Sequence, residues 1–281
     1  MKVKIISDST CDLSKELLEK YEISIVPLYV VLDGETKQDG VDIIPDDIYE
    51  YVEKNNKLPT TSAASIGDYQ EVFKHWRDQG FQIVHFNISS EFSSSYYNAC
   101  IAAKEIGGVY VVDSRNLSTG QGLVVLHGAE MAQNGATAEE IFEECSAMTS
   151  KIEASFVVDS IDYLHKGGRC SAVAALGANL LKLKPCIEVK DGKMNSGKKY
   201  RGIISRVILS YVEDRLKVRN DIDMSRIFIT HTKCSNDTVE AVRKKILEIS
   251  PEFKEILETT AGCTITTHCG PNTLGILFVR K

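Results

Sequence analysis

No C-x-x-C pair occurs in the 281 residues despite eight cysteines, and the six histidines form no H-x-x-x-H or His/Cys cluster. That spacing gives no support for a metal site. The cysteines are scattered among helix-like and strand-like segments and read as reduced thiols of a cytoplasmic protein. Cations are not in excess: the net charge of −6 argues against a broad electrostatic grip on nucleic acid. Apolar runs of about 18 residues are missing, so no membrane span is predicted. Residues 1–6 pass straight into a strand-like segment without the apolar region of a secretion signal. There is no G-x-x-x-x-G-K-[ST], which excludes a P-loop kinase, and no G-x-G-x-x-G after the first strand, which weakens a dinucleotide reading. A G-x-S-x-G elbow is also absent, against an ordinary α/β-hydrolase.

What is present is an ordinary globular balance, 43% hydrophobic and 26% charged, with length for one large or two medium domains. Residues 2–7 are rich in Val and Ile and predict a strand. Residues 12–20 have helical spacing with Cys11-Asp12 placed to cap them. A second strand is expected over 23–32, with 35–38 pairing back across Asp33-Gly34 as a hairpin. Pro45 opens a helix, and another runs on from Ile66. Strands over 81–87 and 109–112 alternate with helices over 94–105, 120–133 and 138–151. Strands separated by helices predict a parallel sheet covered on both faces.

The pattern changes after about residue 155. A strand over 155–158 leads to a short helical turn, a tight Lys166-Gly167-Gly168-Arg169 turn, and a small-residue helix over 171–182. Asp191-Gly192 then joins two strands as a hairpin. Helices over 203–219 and 236–249 alternate with strands over 226–230, 255–259 and 274–279. The expected fold is therefore α/β in two domains: a Rossmann-like, parallel-sheet α/β/α domain over 1–155, and a mixed-sheet α/β domain over 156–281.

Polar residues just past strand ends are where open α/β sheets bind ligands. Three such stretches occur. Pro59-Thr60-Thr61-Ser62 sets hydroxyls ahead of the helix from Ile66, either as an anion cradle at a helix start or as simple caps. Ser7-Asp8-Ser9-Thr10-Cys11-Asp12 packs two carboxylates among hydroxyls, and Asp8, at the strand end, is expected to be a hydrogen-bond hub. Ser89-Ser90-Glu91-Phe92-Ser93-Ser94-Ser95 carries five serines and no cation, which suits a carboxylate better than a phosphate. It reads equally well as a solvated loop. Near the end, His268 can donate to an anion or move a proton, and Cys269 can act as a nucleophile if its pKa is lowered. The competing reading is a loop histidine beside a buried thiol.

Taken in order, these motifs, together with Val112-Asp113-Ser114, Lys184-Pro185 and Asn272-Thr273-Leu274-Gly275, resemble the DegV family of bacterial fatty-acid-binding proteins nearly end to end. The resemblance implies two α/β domains holding a long-chain fatty acid, with no other cofactor and no catalysis by the chain itself. It further implies presentation of the carboxylate to a separate ATP-binding fatty acid kinase subunit that makes the acyl-phosphate, in phospholipid metabolism, with transient contact at a membrane surface. Carried over residue by residue, the carboxylate ligands are Thr61 or Ser62 and Ser93 or Ser94, with His268 nearby and Arg169 and Arg201 facing the kinase. The chain departs from the family's usual Ser-Gly-Thr at Ser93-Ser94-Ser95, which leaves open which serine binds. Two alternatives stand beside this reading: an acyl hydrolase or transferase using Ser93 or Cys269 with His268, and a lipid-responsive regulator without a kinase.

Overall fold

The structure, a computed structural model, describes residues 2–170 and 183–281. Its first sheet is parallel, ordered β2-β1-β6-β7, from β1 (Val3–Asp8), β2 (Ser24–Val26), β6 (Gln82–Asn87) and β7 (Val109–Asp113). Side chains alternate across it with the period of two that a strand imposes. Ile6, Ile83 and Val111 pack on one face against Tyr69, Phe73 and Ala99, from helices α3 (Ile66–Asp78) and α4 (Ser95–Ile106). Ile5, Val84 and Val112 pack on the other against Val124 and Ile141, from α5 (Ser118–Gln133) and α6 (Ala138–Met148). Both faces are covered, as the alternation of strands and helices predicts.

A second, antiparallel sheet orders β4-β3-β5, from β3 (Tyr29–Leu32), β4 (Glu35–Gln38) and β5 (Thr60–Ser62). The expected single strand over 23–32 is thus two strands in different sheets. Pro27, which cannot donate a backbone hydrogen bond, lies between them. The helix expected from Asp12 is α1 (Lys15–Lys20), capped by the Ser14 hydroxyl accepting from Leu17 N. Cys11 instead closes a 3-10 turn, and Asp12, at φ 50°, follows it. Helix α2 (Pro45–Asn55) has Pro at its start, as expected.

The third sheet is mixed, ordered β10-β9-β8-β13-β11-β12. It comprises β8 (Ile152–Val157), β9 (Leu183–Lys190), β10 (Lys193–Arg201), β11 (Ile222–Thr232), β12 (Glu255–Thr260) and β13 (Thr273–Arg280). Among the described residues, only β11–β12 is a parallel pair in this sheet. Asp191-Gly192, both at positive φ, make the β9–β10 hairpin turn. Helices α8 (Ile204–Leu216) and α9 (Asn236–Ile249) cover one face through Tyr211, Val212 and Val242. The other face meets α5: Phe156, Ile187, Phe228 and Leu277 share one core cluster with Leu123 to Leu126. A helix clamped between two sheets has no solvent side, which explains why α5 is apolar nearly all round. Two further short helices are α7 (Asp162–Gly167) and α10 (Cys263–Cys269). The small-residue helix expected over 171–182 lies outside the described residues.

Candidate functional site

The parallel sheet ends, at its carboxyl edge, in a buried polar network. Asp8 accepts hydrogen bonds from Thr10 N and Oγ1, Gln121 Nε2, Asn87 Nδ2 and Ile88 N. This is the hub expected of it. Burial pushes its carboxyl up from the ordinary range, and these donors pull it back. The bond to Ile88 N, at 2.8 Å, ties down the start of the serine stretch.

The serines divide by role. Ser89 is buried and donates to Gly192 O at 2.8 Å, docking the β9–β10 hairpin tip. Ser90 donates to Asp113. Ser93 pairs with Ser95 at 2.8 Å and accepts from Ser95 N. Ser94 is exposed at the N-cap of α4 with no cap bond from its side chain. Of the pair Ser93 and Ser94, only Ser93 lines the cavity described next.

Thr60–Ser62 is a strand rather than the start of a helix. Ser65 caps α3 by itself, in a box with Asp68, so that helix start is already occupied by its own carboxylate. Of the two readings of this stretch, capping holds at Ser65, while Thr61 and Ser62 lie on a strand ahead of the helix. Along β5, Thr60 and Ser62 are exposed and Thr61 turns inward, where its Oγ1 lies 2.8 Å from His268 Nε2. Thr61, Ser62, Ser93, Arg169 and His268 line one cavity of about 50 Å³, whose remaining wall is mainly apolar: Leu28, Ile88, Phe92, Leu117, Met194 and Ile265. Leu117, Ile265 and Cys269 separate it from a deeper cavity bounded by Phe156, Gly275 and Leu277. On its outer side Thr61, Arg169 and His268 also border an open vestibule of about 320 Å³ with Lys57 and Lys166. Arg201 is exposed at the end of β10 and borders neither the cavity nor the vestibule.

His268 sits in α10, not in a loop. Burial and the nearby Arg169 guanidinium hold its pKa down to about 4, so the ring is neutral at pH 7. Its Nδ1 finds no hydrogen-bond partner among the described residues, because Gly167 packs against it. A Cβ on Gly167 would fall 2.3 Å from Nδ1. Gly168, in the left-handed region at φ 67°, then terminates α7. The Gly167-Gly168 doublet thus serves one close approach and one helix stop. Cys269 is buried, and burial pushes its thiol up to about 12, with Asp12 and Cys170 adding to the shift. That is the opposite of an activated nucleophile. No hydrogen bond joins Ser93 to His268 among the described residues, since each is engaged elsewhere. No cluster of three or more His, Cys, Asp or Glu able to hold a metal occurs among them either, and no helix among them is long and apolar enough to cross a membrane.

Sequence reasoning missed most of the apolar wall. Phe92, Leu117, Met194 and Ile265 come from four separate places in the chain, and each reads locally as ordinary core. The glycine doublet was visible, but its partner, about a hundred residues away, was not.

The comparisons with known proteins agree along the whole chain. The sequence model of the DegV family, described as an uncharacterised protein family, matches residues 2–281. A curated fatty acid-binding protein of Thermotoga maritima is 33% identical over 284 residues, covering 98% of this chain and 96% of the relative. A DegV family structure from Thermus thermophilus, described by its fatty acid binding, superposes with a TM-score of 0.90 at 28% identity over 100% of both chains. A stearic acid-binding protein from Eubacterium ventriosum superposes at 0.83 with 31% identity, over 100% of this chain and 99% of its own. The chain belongs to the DegV family.

Proposed function

We propose that this chain binds one long-chain fatty acid, its carboxylate at Thr61, Ser62, Ser93 and His268 and its tail directed inward past Leu117 and Ile265. The observation that carries the reading is that Thr61 and Ser62 of β5, Ser93 of the loop after β6 and His268 line one largely apolar cavity, with Thr61 bonded to His268. Short hydroxyls and a neutral imidazole can direct donors at a carboxylate without bringing a buried charge of their own. Arg169, at the rim, adds a cation without filling the site. Each methylene buried contributes about 0.8 kcal/mol, so the tail supplies most of the affinity. The two cavities as they stand are too small for an acyl chain, so tail entry requires Leu117, Ile265 and Cys269, which separate them, to part.

The bound acid is then presented to a separate ATP-dependent kinase subunit. The vestibule supports this: among the described residues Lys57, Lys166 and Arg169 border it and no carboxylate does, which suits the approach of an anionic phosphoryl group. Lys57 is itself paired with Asp33 at 2.7 Å. The chain acts as a carrier, not a hydrolase or acyltransferase; the raised Cys269 thiol and the separate engagements of Ser93 and His268 support that choice.

Native mass spectrometry of freshly purified protein, then lipid analysis, tests the binding. One long-chain fatty acid per chain is expected. Protein that is empty and also refuses added palmitate would overturn it. Thr61→Ala with Ser93→Ala should weaken uptake without unfolding the chain. With ATP and a kinase subunit from the same cell, hydroxylamine should trap the acyl-phosphate as a hydroxamate. Palmitate bound but never converted would leave a lipid-responsive regulator.

A further inference from the structure

Helix α10 carries His268, and its amino end is held by two carboxylates from the far end of the sequence. Asp39 Oδ1 accepts from Cys263 N at 2.8 Å and its Oδ2 from Thr264 N at 2.9 Å. Asp12 Oδ1 accepts from Gly262 N at 2.9 Å. Three consecutive N–H groups that a helix start leaves without partners are thereby satisfied in a buried setting by carboxyl oxygens. Both acids are buried, Asp39 3% exposed and Asp12 7%. Each is itself oriented by a hydroxyl: Ser9 Oγ donates to Asp39 Oδ2 at 3.2 Å, and Ser118 Oγ donates to Asp12.

The location of Asp39 matters more than its charge. It directly follows β4, which pairs with β3, which pairs in turn with β5 and so with Thr61. The strand that carries Thr61 and the helix that carries His268 are therefore joined twice. One joint is the Thr61–His268 bond itself; the other runs through β3, β4 and the Asp39 carboxylate to the first turn of α10. A short helix held at its first turn by two bonds to one rigid group has little freedom to tilt or slide. We infer that Asp39, supported by Asp12, is a positioning residue that sets His268 against Thr61 and thereby the geometry of the carboxylate site.

The role rests on the fatty acid reading, so the test separates the two. Palmitate affinity is measured by titration for wild type, Asp39→Asn, His268→Gln and the double variant, and the His268 ring resonance is followed by NMR in isotopically labelled protein. Asn keeps the shape but can accept only one of the two N–H groups, and its amide nitrogen opposes the other. Asp39→Asn is expected to shift the His268 resonance and to weaken palmitate binding about tenfold. That loss should largely vanish in the His268→Gln background, because a residue acting through His268 has nothing left to position. An equal loss in both backgrounds, or an unmoved His268 resonance, overturns the role. Should Asp39→Asn fail to fold, Ser9→Ala loosens the same carboxylate more gently, and a smaller shift of the resonance is expected; no shift overturns the role. If wild type itself ignores palmitate, the fatty acid reading falls, and the resonance alone decides whether Asp39 positions His268.

Discussion

Gly167→Ala adds one methyl group to the wall behind His268. Built on the existing backbone, that Cβ lies 2.3 Å from Nδ1 and 3.2–3.3 Å from Cε1 and Cγ. Ordinary contact begins near 3.4 Å, so either the ring or the end of α7 must retreat by about 1 Å. Retreat of the ring breaks or bends the 2.8 Å contact with Thr61. A displacement of that size at a site that must meet a carboxylate costs affinity by about ten- to a hundredfold. Stability should change less: overpacking costs about 1–3 kcal/mol, and the better helix propensity of alanine returns up to about 1 kcal/mol. The control is Gly168→Ala. It meets no atom within 4 Å but sits at φ 67°, so it should cost about 1 kcal/mol of stability and leave the site intact. Palmitate titration and urea denaturation of both variants provide the comparison. Equal affinities for the two, with an unmoved His268 resonance in Gly167→Ala, would refute the close-approach argument.

Two further outcomes follow from the buried groups. Asp8→Asn cannot satisfy five donors at once and should cost about 2–4 kcal/mol in denaturant unfolding; a loss below about 1 kcal/mol would show that the hub relaxes. Acid should also act through His268. Its folded pKa, about 4, lies below the ordinary 6.5, so the unfolded chain binds more protons between those values. The stability this contributes is complete above about 6.5 and is lost as pH falls towards about 4, by roughly 3 kcal/mol. Asp8 and Asp12, whose pKa values burial raises, work in the opposite direction. The difference between wild type and His268→Gln isolates the histidine: the stability of wild type minus that of the variant should fall by roughly 3 kcal/mol as pH falls from about 6.5 to about 4, and a constant difference would refute the assignment.

Much of this protein was legible in its sequence, because local rules act over a few residues. The alternation of apolar strands and helices predicted the doubly covered parallel sheet, and Asp191-Gly192 predicted its hairpin from backbone preference alone. Asp8 announced itself as a hub by standing polar at the end of a buried strand. The order of the weak motifs, from Ser7 to Gly275, pointed to the family. Other features depended on contacts that no local window contains. Thr61 reads as part of a helix start, yet pairing with β3 makes it a strand residue and turns it inward. Pro27 divides one apparent strand between two sheets. His268 reads as a loop residue, yet α10 forms with its first N–H groups held by Asp12 and Asp39, more than 200 residues earlier. A seven-residue helix is too short to be stable by propensity, so its existence is a tertiary fact. Residue types and local geometry were written in the chain; which hydroxyl faces which imidazole was settled only where the sheets and α10 pack together.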